Sequence, residues 1–369
     1  NNAAIKNCNI EAGNNTINTT FGIYAAGTTI STSGSGADND NLTIENNSIS
    51  KAGYGIYARG TATGNLDNLL ITGNEIGGTS ATDYVAAYGI DVQNAASPLI
   101  ELNKIDGVIA YSSSTSNISG IEIGTGVTSA QISRNKISNI VQPNTSGYGA
   151  FGINISSGTD HLIVNNVISG IRIPNYSQVS TINNPFGIRL ASGTGHKVYY
   201  NSINMYGAML SGSATNAASA ALIVTTTSVT GLDIRNNIFA NSMTSTASAP
   251  YFFAVWFPSS YNFTNATLNN NAYFVSDDNV HYIGKIGTAA ASGNYTDLTA
   301  WKGLSQVNNS TNDAASQPLL NTVAPFTSNT DLAIPNGTVT PVESGGIVIA
   351  SLGTNRDFTN ASRPAGSGT

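Results

Sequence analysis

The amino-acid sequence predicts an all-β fold in which the chain coils into a parallel β-solenoid. A Gly-Ile pair recurs in steps of 33, 34, 31, 32 and 35 residues. Between the pairs, an Asn recurs within short apolar stretches of the form Ile-x-x-Asn-x-Ile. A fixed period of this length is typical of repeat folds, in which each repeat packs only on its neighbours. The pairs begin at Gly22, Gly55, Gly89, Gly120, Gly152 and Gly187.

The spacing divides each repeat into a constant half and a variable half. From Gly to the following Asn the interval is 14, 15, 14 and 14 residues in the repeats that begin at Gly89, Gly120, Gly152 and Gly187. From Asn to the next Gly the interval grows from 8 to 21 residues along the chain. A coil explains the asymmetry, because stacked strands must keep their register while one corner can bulge outward.

Alternation along the Gly-Ile strands predicts which side chains face the interior. Ile153 and Ile155 point to one side and Asn154 to the other, as in a strand with one buried face. Stacked at about 4.8 Å, equivalent aliphatic side chains would form columns that fill the coil. The charged fraction of 9% is low, against about 25% in a typical soluble domain. Asn, Ser, Thr and Gly take the place of the charges and favour turns and polar ladders.

Eight asparagines share one position in the repeat and are expected to form a structural ladder. Asn tolerates a left-handed backbone at a turn, and its amide can bond to the Asn of the next turn of the coil. Cys8 holds the equivalent position near the start of the chain. The predicted ladder comprises Asn47, Asn74, Asn103, Asn135, Asn166, Asn201, Asn237 and Asn271.

Aromatic residues directly precede most of the glycines. We interpret them as an aromatic stack at one corner, with a sugar-stacking platform as the alternative. Ser119 interrupts the series, which otherwise comprises Phe21, Tyr54, Tyr88, Phe151 and Phe186.

These motifs resemble the right-handed parallel β-helices of the pectate-lyase-like superfamily, which share the form Gly-Ile-x-Ile followed by Ile-x-x-Asn-x-Ile. The resemblance covers residues 1–276 and implies a right-handed coil of about 8–10 turns. Enzymes, adhesins and phage spikes share this fold, so the resemblance implies no single activity. The polygalacturonase branch carries aspartates just before the Gly-Ile strand, where this chain has Tyr88 and Ser119.

Residues 277–369 lack the period and are expected to form an irregular C-terminal cap. A short helix is predicted near the start of this segment, with Thr296 or Asp297 as its N-cap and Leu298 and Trp301 on one face.

The order of motifs in the cap is similar to the closing segment of β-helical surface proteins secreted by Bacteroidetes. Such a segment would cover one end of the coil. The other end begins directly with a strand pattern, which predicts as its partner an upstream part of the same polypeptide or another molecule. We therefore interpret the chain as a piece of a longer protein.

One pair of acidic residues provides a catalytic hypothesis. If the turns stack in register, Asp91 and Glu122 lie about 5 Å apart, the separation found in retaining glycosidases. Desolvation and like charge would raise the pKa of one of them, giving an acid and a base, with Arg189 two turns further on. The alternative is a partly solvated acidic pair that has no function.

The insertions between Asn and the next Gly leave one corner and form a candidate recognition surface. Their tyrosines could stack on sugars or pack back on the coil. Asn154, which faces outward beside Glu122 and Arg189, is a further candidate ligand-binding residue. The candidate tyrosines are Tyr84, Tyr111, Tyr148 and Tyr176, with Tyr206 in the next insertion.

No metal or cofactor is predicted. His161 and His196 each follow a Ser-Gly-Thr turn, and we expect them to be solvent-exposed, with a possible stack between them. Calcium is conceivable at several aspartates, but none belongs to a loop of spaced oxygen ligands. Those aspartates are Asp38, Asp40, Asp277 and Asp278.

Charge and hydropathy exclude two classes of partner. The net charge is -6 with no basic run, which excludes a nucleic-acid footprint. No apolar stretch approaches the roughly 20 residues of a membrane span. A composition rich in Ser, Thr and Asn and poor in Lys is typical of an extracellular or bacterial cell-surface location. The single cysteine, Cys8, excludes an internal disulfide and a Cys-based zinc site.

We therefore expect a non-catalytic extracellular β-helical stalk or adhesin segment of a larger surface protein, binding a polysaccharide or cell-surface glycan through its loop edge. The alternative is a polysaccharide lyase or glycoside hydrolase that acts on the Asp91 and Glu122 face.

Overall fold

The computed structural model describes residues 2–17, 19–34, 36–176, 178–209, 216–289, 291–306, 310–320, 324–335, 340, 342, 345–352 and 356–363. The chain forms a parallel β-solenoid of about eight turns, here called rungs, with one short helix near its C-terminus. This confirms the predicted fold class. Each complete rung contributes one strand to each of three parallel arrays.

The first sheet contains the strands that precede the ladder asparagines. Its strands pair in parallel and in register, so that Ile100 stacks between Ile71 and Ile132. The nine strands are Ala4–Lys6, Thr43–Glu45, Leu70–Thr72, Leu99–Glu101, Gln131–Ser133, Leu162–Val164, Lys197–Tyr199, Leu232–Arg235 and Ala266–Asn269.

The second sheet contains the strands that follow the asparagines. Ile137 stacks between Ile105 and Ile168 in the same parallel manner. Its strands are Asn9–Glu11, Ser48–Ser50, Glu75–Gly77, Lys104–Ile109, Lys136–Val141, Val167–Arg172, Ser202–Met205, Ile238–Asn241, Ala272–Val275 and Gln317–Leu320.

The Gly-Ile sheet is the third array and joins the second sheet through the pairing of Val85 with Val108. Asn294–Tyr295 adds an antiparallel strand at its end. The parallel strands are Phe21–Ala25, Ala52–Arg59, Val85–Gln93, Ile118–Ile123, Ala150–Ile155, Pro185–Leu190, Asn216–Val224, Ala249–Phe257 and His281–Ile286.

Short elements complete the described structure. Two-residue strands form two small parallel pairs at the corners, Leu66–Asp67 with Ala95–Ala96 and Ala208–Met209 with Thr244–Ser245. The helices are the α-helix Leu298–Ser305 and the 3-10 helices Phe263–Asn265 and Ala350–Leu352. None of the described helices is long and apolar enough to cross a membrane.

The Gly-Ile motif is explained by the close approach of backbones inside the coil. A Cβ atom on Gly152 would lie 2.5 Å from the carbonyl oxygen of Gly187 and 2.5 Å from Cγ2 of Ile168. The register is the same on both sides of the glycine, since Ser119 pairs with Phe151 and Ile121 with Ile153. Phe151 and Ile153 nevertheless pack in different clusters, so the residues before and after the glycine do not simply alternate. Phe151 packs in a cluster separate from the column of inward isoleucines.

The C-terminal helix closes the end of the coil. Asp297 is its N-cap and accepts a hydrogen bond from the Ala300 N–H at 2.8 Å. Leu298 and Trp301 are buried against the end of the central core, as the predicted helix face requires. The Trp301 indole N–H donates to Asp313 at 2.9 Å.

Parallel pairing continues beyond residue 276, because His281–Ile286 and Gln317–Leu320 extend two of the sheets. The division into residues 1–276 and 277–369 stays a prediction.

A later part of the C-terminal region runs back along the outside of the first sheet. We call the described residues 345–352 and 356–363 the C-terminal strap. Asn270 donates to the carbonyl of Gly345, Tyr200 to that of Ile347 and Asn165 to that of Arg356. The strap thus runs from later rungs of the solenoid back to earlier ones, opposite to the order of the rungs in the sequence.

Candidate functional site

The ladder asparagines form a continuous hydrogen-bonded chain inside the coil. The Nδ2 of Asn166 donates to Oδ1 of Asn201 at 3.0 Å and to the Ile132 carbonyl at 2.9 Å. Equivalent side-chain bonds join every neighbouring pair from Asn47 to Asn271. All eight side chains are buried, so the ladder is scaffold and offers no surface to a ligand.

The predicted left-handed backbone does not fall on the ladder asparagines. It falls on the residue before each of them, as at Asn165 with φ 56° and Tyr200 with φ 55°. The reason is that the ladder Asn must direct its amide along the coil, so the preceding residue makes the sharp change of direction. That residue points outward and is free to vary, which explains Leu102 and Arg134 at the same position.

The catalytic candidates lie on neighbouring rungs of the Gly-Ile sheet. Asp91 pairs in register with Glu122, Glu122 with Asn154, and Asn154 with Arg189. The four side chains therefore form one stripe on the face opposite the inward isoleucines. Tyr57 precedes Asp91 in this stripe.

Hydrogen bonds connect three members of the stripe. Asn154 donates from Nδ2 to both oxygens of Glu122 at 2.9 Å, and its Oδ1 accepts from Arg189 at 3.0 Å. Ser119 donates to Glu122 at 2.9 Å, which gives the residue that interrupts the aromatic series a specific partner. Gln93 donates weakly to Asp91 at 3.3 Å.

The stripe is buried at two of its four positions and half-buried at the other two. Asp91 is 3% exposed and Asn154 5% exposed, whereas Glu122 and Arg189 are half-buried. Arg189 lies over the ring of Phe151 at 5.1 Å and donates to the carbonyl of Thr181, which belongs to an insertion. The expectation of a partly solvated acidic pair is therefore wrong for Asp91, while Glu122 keeps some exposure.

Burial dominates the electrostatics of the stripe. Burial, followed by the neighbouring Glu122, raises the pKa of Asp91 from 3.8 to about 8. Burial also raises the pKa of Glu122, although hydrogen bonds from Asn154 and Ser119 oppose the shift. Burial lowers the pKa of Arg189. Two neighbouring carboxyl groups whose pKa values are both raised have the chemical character of a candidate acid and base pair, but the burial of Asp91 denies it access to a polymer.

An aromatic column runs beside the polar stripe, at the position before each glycine. Phe21 stacks on Tyr54 at 5.0 Å in the early rungs, and Phe151 stacks on Phe186 at 6.0 Å in later ones. Ser119 occupies the column between them. The outer face of the Gly-Ile sheet thus carries a second packed layer next to the stripe.

The stripe continues into residues that the repeat pattern did not identify. Arg189 pairs in register with Ile223, Ile223 with Trp256, and Trp256 with Lys285. Trp256 and Lys285 therefore hold the stripe position on the later rungs. Lys285 is fully buried, and burial lowers its pKa to about 8. Its ammonium donates to the carbonyls of Ala289 and Ser292 and to the Asn294 side chain. The register of the strands identifies Lys285 as a stripe residue. The sequence pattern did not, because the strand that contains Lys285 lacks the Gly-Ile pair.

The two histidines are buried, so the predicted exposed turn positions are wrong. Their rings stack at 5.0 Å with an interplanar angle of 4°. His161 accepts from the Ala130 N–H at Nδ1 and donates from Nε2 to the Ser157 carbonyl. Burial lowers the pKa of His161 to about 4. The turn folds each ring back into the corner, and each Nε2 lies within hydrogen-bond distance of the carbonyl four residues earlier.

No group of three or more His, Cys, Asp or Glu side chains suited to a metal ion occurs among the described residues.

The candidate tyrosines of the insertions occupy different environments. Tyr84 lies against Gly107 and Tyr176 against Gly147, so both rings pack on a neighbouring rung. Tyr111 and Tyr148 are partly exposed. The structure places all four in the insertions between the second and Gly-Ile sheets.

A cleft of about 700 Å³ lies elsewhere, between the second sheet and the segment 324–329. The repeat pattern did not predict this cleft, because residues 324–329 lie outside the repeats. Its floor includes Ala240 and Phe274, and its rim includes Ser242 and Ser276.

The fold defines the chain as a parallel β-solenoid of about eight turns. No protein-family model matches the sequence, and no curated protein matches it. Among solved structures, the chain is similar to PfbA, a surface adhesin of Streptococcus pneumoniae. The match has 15% identity and a TM-score of 0.32 over 58% of this chain and 44% of the adhesin. The chain thus matches less than half the length of that protein.

Proposed function

We propose that the chain is a non-catalytic, extracellular β-helical stalk or adhesin segment of a larger protein on a bacterial cell surface. The observation that carries this proposal is the burial of Asp91 and Asn154 in the stripe, where the half-buried Arg189 donates to Asn154. Kinship with the pectate-lyase-like superfamily and with secreted Bacteroidetes proteins forms part of the proposal, on the repeat motifs alone.

The regular ladders suit the chain to act as a rigid spacer. Each rung is bonded to its neighbours through three sheets and the Asn ladder. Eight rungs at about 4.8 Å give a rod roughly 40 Å long, without internal hinges. An upstream part of the same polypeptide or a partner would continue the sheets from the first strand, Ala4–Lys6.

Glycan binding through the insertion edge is the second part of the proposal. The insertions are joined to one another, since Gln142 donates to the Ser116 carbonyl and Asn175 to the Pro143 carbonyl. Such bonds hold neighbouring loops in fixed relative positions, which favours recognition. Tyr111 and Tyr148 are the partly exposed rings offered to a sugar on this edge.

A glycan array tests the adhesive part. We expect the wild-type protein to bind a subset of glycans and a Tyr111→Ala, Tyr148→Ala double variant to lose that binding. Leu102→Asn, which changes an exposed residue at the opposite, ladder corner, is the control. Equal binding by the double variant would overturn the role of the edge.

The raised pKa of Asp91 beside Glu122 favours the alternative, a polysaccharide lyase or glycoside hydrolase. The burial of Asp91 opposes it. Incubating the protein with polysaccharides and measuring new reducing or unsaturated ends separates the two. Cleavage that disappears in Glu122→Gln would establish the enzyme and exclude the non-catalytic stalk.

A further inference from the structure

We propose that the cleft between the second sheet and residues 324–329 binds a neutral sugar unit of a glycan. This inference rests on the proposed glycan-binding function, but it places the binding site on the second sheet, away from the insertions that carry Tyr111 and Tyr148. The cleft encloses about 700 Å³, within the range of about 300–1,000 Å³ that small-ligand sites occupy.

Two walls of different origin form the cleft. The coil supplies Ala240 and Phe274 from neighbouring strands of the second sheet. The C-terminal region supplies Ala324 and Phe326, which pack against the same apolar cluster. Asn204 fixes the two walls together, because its Nδ2 donates to the Asn329 carbonyl at 3.1 Å. The cleft is therefore built by a tertiary contact and does not depend on a ligand for its shape.

The lining has an apolar floor and a polar rim. Phe274 is 3% exposed and forms part of the floor, while Phe326 is half-buried at the side. Exposed hydroxyl groups of Ser242, Ser276 and Ser328 stand at the rim. A sugar ring presents both kinds of surface, since its C–H faces pack on aromatic rings and its hydroxyls bond to polar groups around them.

The charged side chains that line the cleft indicate whether a neutral or an acidic sugar would bind. Of the described residues that line the cleft, none is Lys, Arg or His, and Asp277 is the acidic one. An acidic sugar would bring a carboxylate into a site without a cation to pair it, which is unfavourable. The lining therefore favours neutral hexoses over uronic acids.

Binding of defined disaccharides tests the inference. The probes are cellobiose, lactose and mannobiose as neutral sugars and digalacturonic acid as the acidic one, measured by saturation-transfer NMR and calorimetry on the full chain. We expect at least one neutral disaccharide to bind and digalacturonic acid not to bind. Ser242→Trp fills the rim and should weaken binding at least about tenfold.

Ser228→Trp is the matched control, because it adds the same side chain at an exposed turn away from the cleft. Phe326→Ala tests the wall, and circular dichroism confirms that each variant is folded. Binding that survives Ser242→Trp but is lost in the Tyr111→Ala, Tyr148→Ala variant would overturn this inference and leave the proposed function standing. Failure of all neutral probes to bind, or stronger binding of digalacturonic acid, would also overturn it.

Discussion

Single side chains hold neighbouring rungs together at the asparagine corner. The Oδ1 of Asn166 accepts from both the backbone N–H and the Nδ2 of Asn135 at 3.0 Å. The Nδ2 of Asn166 donates to the Ile132 carbonyl on the preceding rung and to the Oδ1 of Asn201 on the following rung. One amide thus satisfies buried polar groups on three rungs, which water does not reach.

Replacing Asn166 by Ala should therefore be costly. The change leaves the Asn135 N–H and the Ile132 carbonyl without partners in the interior. We expect the free energy of unfolding, measured by urea denaturation, to fall by about 2–4 kcal/mol. Asn175→Ala is the control, since its exposed amide makes one bond to a loop carbonyl. An equal, small effect of both changes would show that the ladder contributes little.

The contribution of Asp91 to folding stability changes with pH in the opposite sense to that of most carboxyl groups. Its pKa is 3.8 when the chain is unfolded and about 8 in the fold. Between these values the folded protein binds more protons than the unfolded chain, so stability falls as the pH rises from about 4 to 8. The buried histidines act below pH 6.5 in the opposite sense, because burial lowers their pKa.

Asp91→Asn should remove this pH dependence. The variant cannot ionise, so it should be more stable than the wild type at pH 9, by an amount on the order of a few kcal/mol. Near pH 4 the difference should vanish. Thermal unfolding of both proteins at several pH values measures the difference in stability between them. The contribution of the histidines cancels in this difference, because both proteins contain them. Asp67→Asn, at an exposed position, is the control. A difference that does not change with pH would contradict the expected linkage.

Among the elements, the Gly-Ile strands depend on the absence of a side chain. Successive glycines approach one another along the sheet, and Gly120 and Gly187 show the same short contacts as Gly152. The contacts involve backbone carbonyls, which cannot rotate away as a flexible side chain would.

Gly152→Ala should destabilise the coil by more than about 2 kcal/mol, since either strand must shift to relieve the contact. Gly303→Ala is a matched control with the opposite expectation. Gly303 lies in the exposed part of the helix Leu298–Ser305, and an added Cβ has no atom within 4 Å. That change should stabilise the protein by about 0.5–1 kcal/mol. Chemical denaturation compares the two variants, and tolerance of Gly152→Ala would refute the packing argument.

The inward and outward faces of the strands were predictable where the same stacking constraint applies to every rung. They were less predictable where a loop determines which side chains are buried. The alternation of Ile153 and Ile155 with Asn154 identified the inward face, because stacking applies the same constraint to every rung. The burial of Asp91 and His161 could not be read from their strands, since it depends on insertions and turns that differ from rung to rung. Lys285 was missed because its strand lacks the Gly-Ile pair.

On the scale of the whole molecule, the C-terminal strap adds a layer to a coil that is already complete. Ile349 is 2% exposed and packs with Val164, Tyr199 and Tyr200 on the outer face of the first sheet. Arg363 lies over the ring of Tyr200 at 4.1 Å and donates to Asn165. The inward isoleucines take no part in these contacts, so the strap and the coil have largely separate sources of stability.

Ile349→Ala should therefore release the strap without unfolding the coil. The change removes the strap's buried side chain, whose truncation typically costs about 2–4 kcal/mol, while the column of stacked aliphatics remains intact. Hydrogen exchange by mass spectrometry should show faster exchange in residues 345–352 and 356–363 and on the strand Lys197–Tyr199, with unchanged protection of the inner strands. Val348→Ala, at a residue 42% exposed, should leave exchange as in the wild type. Faster exchange throughout the coil would show instead that strap and solenoid unfold as one cooperative unit.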